Sequence, residues 1–225
     1  MTRTITRLFD DYDNARTAVS ELERMGIPHD DLSIVANNAH GRHDVRSHDG
    51  HHHDHDGHDH HHDHDHDHDH DHGEIGAGAS TGAVVGGVGG LLAGLGLLAI
   101  PGLGPIVAAG WLASTAVGAA IGGGVGAAAG GLVDALKHAG HTDDEANVYS
   151  EGVRRGGTLV SARVSDDRVG ETEAVLDGNG GVAAETRGAD YRRAGWSRFD
   201  PNAAPYDTDE IDRERAAYRS ETSAL

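Results

Sequence analysis

Residues 91–112 read Leu-Leu-Ala-Gly-Leu-Gly-Leu-Leu-Ala-Ile-Pro-Gly-Leu-Gly-Pro-Ile-Val-Ala-Ala-Gly-Trp-Leu. They lie at the centre of a longer run, 75–133, that contains no Asp, Glu, Lys, Arg or His. Pro101-Gly102-Leu103-Gly104-Pro105 divides that run into two apolar segments, 76–100 and 106–133. Each exceeds the ~20 residues with which a helix crosses a hydrocarbon core. Proline and glycine at the division predict a turn between two helices.

The small residues in this run are spaced regularly. Gly78, Gly82, Gly86, Gly90 and Gly94 recur every fourth residue, as do Gly110, Ser114, Gly118, Gly122, Gly126 and Gly130. On a helix such positions share one face, so two helices can approach backbone to backbone. The expectation is a glycine-zipper helical hairpin over 74–137. Leu91, Leu92, Leu95, Leu97, Leu98, Ile100, Ile106, Val107, Trp111 and Leu112 concentrate the hydrophobicity near the turn, while the outer ends are mostly Gly and Ala. Glycine costs about 1 kcal/mol in a helix relative to Ala, so a transmembrane hairpin is marginal. A self-packed or oligomeric arrangement is the competing reading.

Outward from this run the chain changes character. Before it, every residue from 48 to 72 is His, Asp or Gly, a composition that cannot form a core. The 63–72 stretch alternates strictly, Asp-His-Asp-His. In an extended chain alternation places imidazoles on one side and carboxylates on the other. Imidazole suits Zn, Ni, Cu and Co, with carboxylates orienting the rings or ligating. The candidate ligands are His51, His52, His53, His55, His58, His60, His61, His62, His64, His66, His68, His70 and His72. Their arrangement fixes no single geometry, so several weak, exchangeable divalent ions are expected, with no required cofactor. A solvated repeat without a role is the bland alternative.

The flanks read as ordinary secondary structure. Residues 4–9 form a strand pattern anchored by Ile5, Leu8 and Phe9. Asp10, Asp11 and Asp13 open a helix striped by Tyr12, Ala15, Ala18, Val19, Leu22 and Met25, and Gly26 ends it. Residues 32–36 make a second strand. After the apolar run, Thr142-Asp-Asp-Glu145 fits a capping box, with Ala146, Tyr149 and Val153 on the inner face of its helix. Residues 158–164 form a strand, and Ser165-Asp166-Asp167 caps another helix, with Val169, Thr172, Val175 and Leu176 inward. Residues 182–186 read as a last weak strand. The fold class predicted is α+β: a small ferredoxin-like domain (β-α-β … α-β-α-β) made of 1–38 and 138–187. It is interrupted by a disordered His/Asp-rich insert, 39–73, and the apolar hairpin, 74–137. Residues 188–225 read as a polar tail with a short helix near 208–219.

Several quoted pieces occur in an order that resembles the general stress protein 17M-like (YflT-type) family. They are Leu8-Phe-Asp-Asp-Tyr12, Leu32-Ser-Ile-Val-Ala-Asn37, Leu97-Leu-Ala-Ile-Pro-Gly-Leu-Gly-Pro105 and Tyr149-Ser-Glu-Gly-Val-Arg-Arg-Gly-Gly157 with the strand after it. The resemblance spans 4–37 and 74–187 and implies a stress-induced bacterial protein with no established reaction. The His/Asp block departs from that family's short linker.

Composition narrows the function further. The formal net charge of −19 disfavours nucleic acid, which requires a basic patch. Protonating all 19 His would bring −19 to about zero, near the imidazole pKa of ~6.5. Cysteine is absent, which excludes disulfides and thiolate metal sites. Gly94-Leu-Gly-Leu-Leu-Ala99 and Gly122-Gly-Gly-Val-Gly-Ala127 imitate phosphate loops but lie inside the apolar segments, and no G-x-x-x-x-G-K-[ST] exists. Arg154-Arg155, with Lys137, reads either as a contact for lipid headgroups or as a solvated helix end. His138 and His141 read as surface residues. No signal-peptide run opens the sequence. The expectation is a non-enzymatic stress protein with a cytoplasmic domain associated with the inner membrane. Its predicted contacts are the lipid bilayer and its own Gly faces, with no nucleic acid and no small-molecule substrate. Alternatives are a metal-buffering protein that works through the His/Asp block, and a soluble oligomeric interaction module.

Overall fold

A computed structural model describes residues 1–39, 41, 96–100, 102–115 and 131–222. The strands are β1 (Thr2–Phe9), β2 (Leu32–Asn37), β3 (Gly96–Ile100), β4 (Gly104–Gly110) and β5 (Thr158–Ser165). The helices are α1 (Tyr12–Arg24), α2 (Gly131–His138), α3 (Asp143–Arg154), α4 (Val169–Gly178), α5 (Ala184–Arg193) and α6 (Thr208–Thr222). Residues 111–115 are also helical. The strands form one sheet in the order β1-β5-β2-β4-β3, antiparallel at every pairing.

Alternation along the strands loads both faces of this sheet. Leu8, Val35, Ile106, Ala108 and Leu159 join Leu132, Leu136, Tyr149, Val153, Tyr191 and Phe199 in one core. Ile5, Phe9, Ile34, Val160, Ala162 and Val164 join Ala15, Ala18, Val19, Leu22 and Leu176 in the other. The sheet is therefore covered by α2, α3 and α5 on one side and by α1 and α4 on the other. Local chemistry sets the helix starts. Asp11 caps α1 by accepting from the backbone N–H groups of Asp13 and Asn14, and the Thr142–Glu145 capping box opens α3.

The turn predicted between two helices is instead a β-hairpin turn. Ile100 pairs with Gly104, and Gly102 and Gly104 take φ of +76° and +80°, conformations open to glycine. The run lacks charge here because Ile106, Val107, Ala108 and Ala109 are all buried between two helical layers. A strand covered on both faces reads as a continuous apolar run, the same signal that a membrane helix gives. Gly110, counted in the second glycine ladder, ends β4 at φ +85°, and a Cβ there would stand 2.1 Å from the Leu32 carbonyl oxygen. It serves a close strand approach and not a helix face. Gly78, Gly82, Gly86, Gly90, Gly94, Gly118, Gly122, Gly126 and Gly130 lie outside the described residues. Among the described residues no helix is long and apolar enough to cross a membrane, which overturns the transmembrane helix.

Three further expectations need correction. The predicted strand at 182–186 is a single bridge from Val182 to Leu8, after which α5 begins at Ala184. Ser165 makes no capping bond, because a 3-10 turn, Asp166–Arg168, precedes α4. The polar tail holds part of the core: Tyr191, Phe199 and Ile211 are buried. Those anchors are widely spaced among charges, so no periodicity reveals them.

Candidate functional site

The His/Asp insert is rooted in β2. Asn37, at the strand's last position, is buried and donates from its amide to the Val153 carbonyl at 3.1 Å. Its Oδ1 accepts from the backbone N–H of Ala39 at 2.9 Å. The Asn38 N–H donates to the Pro105 carbonyl at 2.8 Å. A side chain with both a donor and an acceptor thus pins the departing chain to α3. β2 and β3 flank β4 and both run antiparallel to it, so they are parallel to each other. A parallel pair requires a crossover, and residues 38–95 supply it. The thirteen proposed ligands, from His51 to His72, lie outside the described residues. Among the described residues no group of three or more His, Cys, Asp or Glu could hold a metal ion.

Two polar clusters lie in the folded part. In the first, Thr6 Oγ1 stands 2.8 Å from His141 Nε2 and 2.9 Å from Ser161 Oγ. His141 Nδ1 faces Glu145 Oε2 at 3.7 Å, and the ring meets Tyr149 edge-on. Tyr149 donates its hydroxyl to the Thr6 carbonyl at 2.7 Å and accepts from the Ala184 N–H at 3.2 Å. Burial lowers the His141 pKa, which Glu145 only partly offsets. Burial would raise Glu145, but hydrogen bonds from Thr142 outweigh it and hold its pKa down. Burial pushes Tyr149 up to about 12. Carboxylate, imidazole and hydroxyl follow in the order a nucleophilic triad uses. Thr6 and Ser161 are only 2% and 1% exposed, however, and no substrate reaches them in this conformation. The cluster ties β1 and β5 to the α2–α3 turn and to the start of α5. Sequence reasoning placed His141 on the surface; its only local signal was its position one residue before the capping box.

In the second cluster Glu151 is fully buried, and its Oε1 accepts from Arg154 at 3.0 Å and Arg155 at 2.7 Å. The Arg155 guanidinium lies 4.4 Å from the Tyr191 ring and 5.7 Å from that of Tyr206, and it also donates to Glu214 at 3.1 Å. Burial would lower the Arg155 pKa, but Glu151 and Glu214 outweigh it and raise it. The Arg154 guanidinium lies 4.9 Å from the Tyr206 ring. These arginines are neither a solvated helix end nor a headgroup contact: they are paired beneath the 199–214 segment. Comparison of the chain with protein-family models, curated proteins and solved structures finds no match.

Proposed function

We propose that the chain is a non-enzymatic stress protein whose working part is the His/Asp segment, carried as a multidentate, exchangeable site for divalent metal ions. One observation carries this reading. The segment 48–72 lies between two strands of the same sheet, so its concentrated imidazoles and carboxylates are closed into a loop on a folded support. Metal uptake would also offset part of the −19 formal charge. The stress role rests on the ordered motifs that resemble the general stress protein 17M-like family. The strand order β1-β5-β2, with Val182 bridging to β1 and with α1 and α4 on one face, supports a ferredoxin-like core to which the β3–β4 hairpin has been added.

The test is a titration with Zn²⁺ or Ni²⁺ at pH 7.5 and again at pH 5.5. Imidazole must be neutral to ligate, so several ions should bind at pH 7.5 and the affinity should fall at least tenfold at pH 5.5. Deleting 48–72 should abolish the binding and leave the circular dichroism per folded residue intact. Retention of several tight ions after the deletion would place the ligands elsewhere. Unchanged metal tolerance in cells carrying the deletion would remove the cellular role.

A further inference from the structure

Residues 199–214 cross the end of the sheet where β3 turns into β4 and α3 into β5. Glycines form the floor on which they lie. A Cβ on Gly102 would stand 2.9 Å from Pro201 Cα, and one on Gly104 3.0 Å from Pro205 Cβ. Ile211, fully buried, enters a notch at Gly156, where a Cβ would stand 2.3 Å from Ile211 Cγ2. Tyr206 stacks on Arg154, and Glu214 pairs with Arg155 at 3.1 Å. The face therefore recognises one spacing: Pro201, Pro205, Tyr206, Ile211, Glu214. The connection to it is weakly held. Arg192, Arg193, Ala194, Gly195, Ser197 and Arg198 are exposed, and Gly195 takes φ +89° in open space.

We infer that this face is a segment-binding site that residues 199–214 of a second copy fill in place of the chain's own. The second copy is the occupant because it carries the whole recognition set. Exchange replaces each contact by its own equivalent, so the cost is confined to rotation of the exposed connection. In the unaltered chain the tethered segment competes at a millimolar effective concentration, which keeps the exchanged form minor.

Two full-length variants separate site from segment. Ile211→Asp leaves the site intact and spoils the segment. Gly156→Val fills the notch, at a φ of +92° that a β-branched residue resists, and leaves the segment intact. Each alone should run as a single copy, and an equimolar mixture should give a one-to-one complex of twice the mass by light scattering. A labelled peptide of residues 199–214 should bind the Ile211→Asp chain at least tenfold more tightly than the unaltered chain. This second measurement stands whether or not Gly156→Val folds, and Tyr206→Ala with Glu214→Arg is an alternative release. The inference is overturned if a released chain with unaltered circular dichroism binds neither the peptide nor the Gly156→Val chain.

Discussion

Gly110→Ala discriminates the two readings of the apolar run by sign. On a helical face, replacing Gly by Ala stabilises by up to about 1 kcal/mol. At the end of β4 the same change forces Ala to φ +85°, a left-handed conformation that costs roughly 1–2 kcal/mol. The new Cβ would also stand 2.1 Å from the Leu32 carbonyl oxygen and 2.8 Å from Ser33 Cα. Both are backbone atoms of β2 and cannot turn aside, so the Ser33–Gly110 pairing must open. The adjacent bond from Ser33 Oγ to the Ala109 carbonyl, 2.9 Å long and buried, is strained with it. Each hydrogen bond lost costs on the order of 1 kcal/mol, and the total destabilisation is about 3 kcal/mol. With a urea slope of 1–3 kcal/mol per molar, the midpoint should fall by about 1–2 M, followed by circular dichroism and Trp111 fluorescence. A midpoint equal to or above that of the unaltered protein would refute the strand assignment and the reasoning built on it.

The first polar cluster sets a pH dependence. His141 has a folded pKa below its unfolded value, so the unfolded chain takes up the extra proton; stability is complete above about pH 6.5 and is lost as pH falls below it. His141→Gln should flatten that arm in urea titrations at pH 7.5 and pH 5, and an equal slope in both proteins would show that another group is responsible. Tyr149 titrates at about 12 when folded, above the unfolded phenol, so its contribution is complete below pH 10 and is lost as pH rises from there. Tyr149→Phe removes the bonds to Thr6 and from Ala184 and should cost about 1–3 kcal/mol by denaturant unfolding. Arg155→Ala leaves Glu151 buried beside a single arginine and should cost about 3–5 kcal/mol. Glu214→Gln, on the half-exposed side of the same guanidinium, should cost less than about 1 kcal/mol; equal losses would show that Glu151 is not the group Arg155 neutralises.

Local chemistry alone determined much of this protein. The β1-α1-β2 unit, α3 with its capping box, β5 and α4 were all legible. Each is fixed by side chains within a few residues of one another: Asp11 at a free helix end, Thr142 with Glu145, alternating Val160, Ala162 and Val164. The His/Asp segment was likewise legible as a candidate ligand set, because its chemistry resides in composition. Only the tertiary structure decided what residues 96–110 are. An uncharged run reports that no side chain meets water, and burial between two helical layers satisfies that as well as lipid does. The choice lies in the hydrogen-bond partners, Leu32–Asn37 on one side and Gly96–Ile100 on the other, which no local pattern names. The same holds for His141, buried by Thr6 from 135 residues away, and for Ile211, whose notch exists because Gly156 has no side chain. In each case the deciding contact joins segments far apart in sequence, and only chain folding brings them within reach.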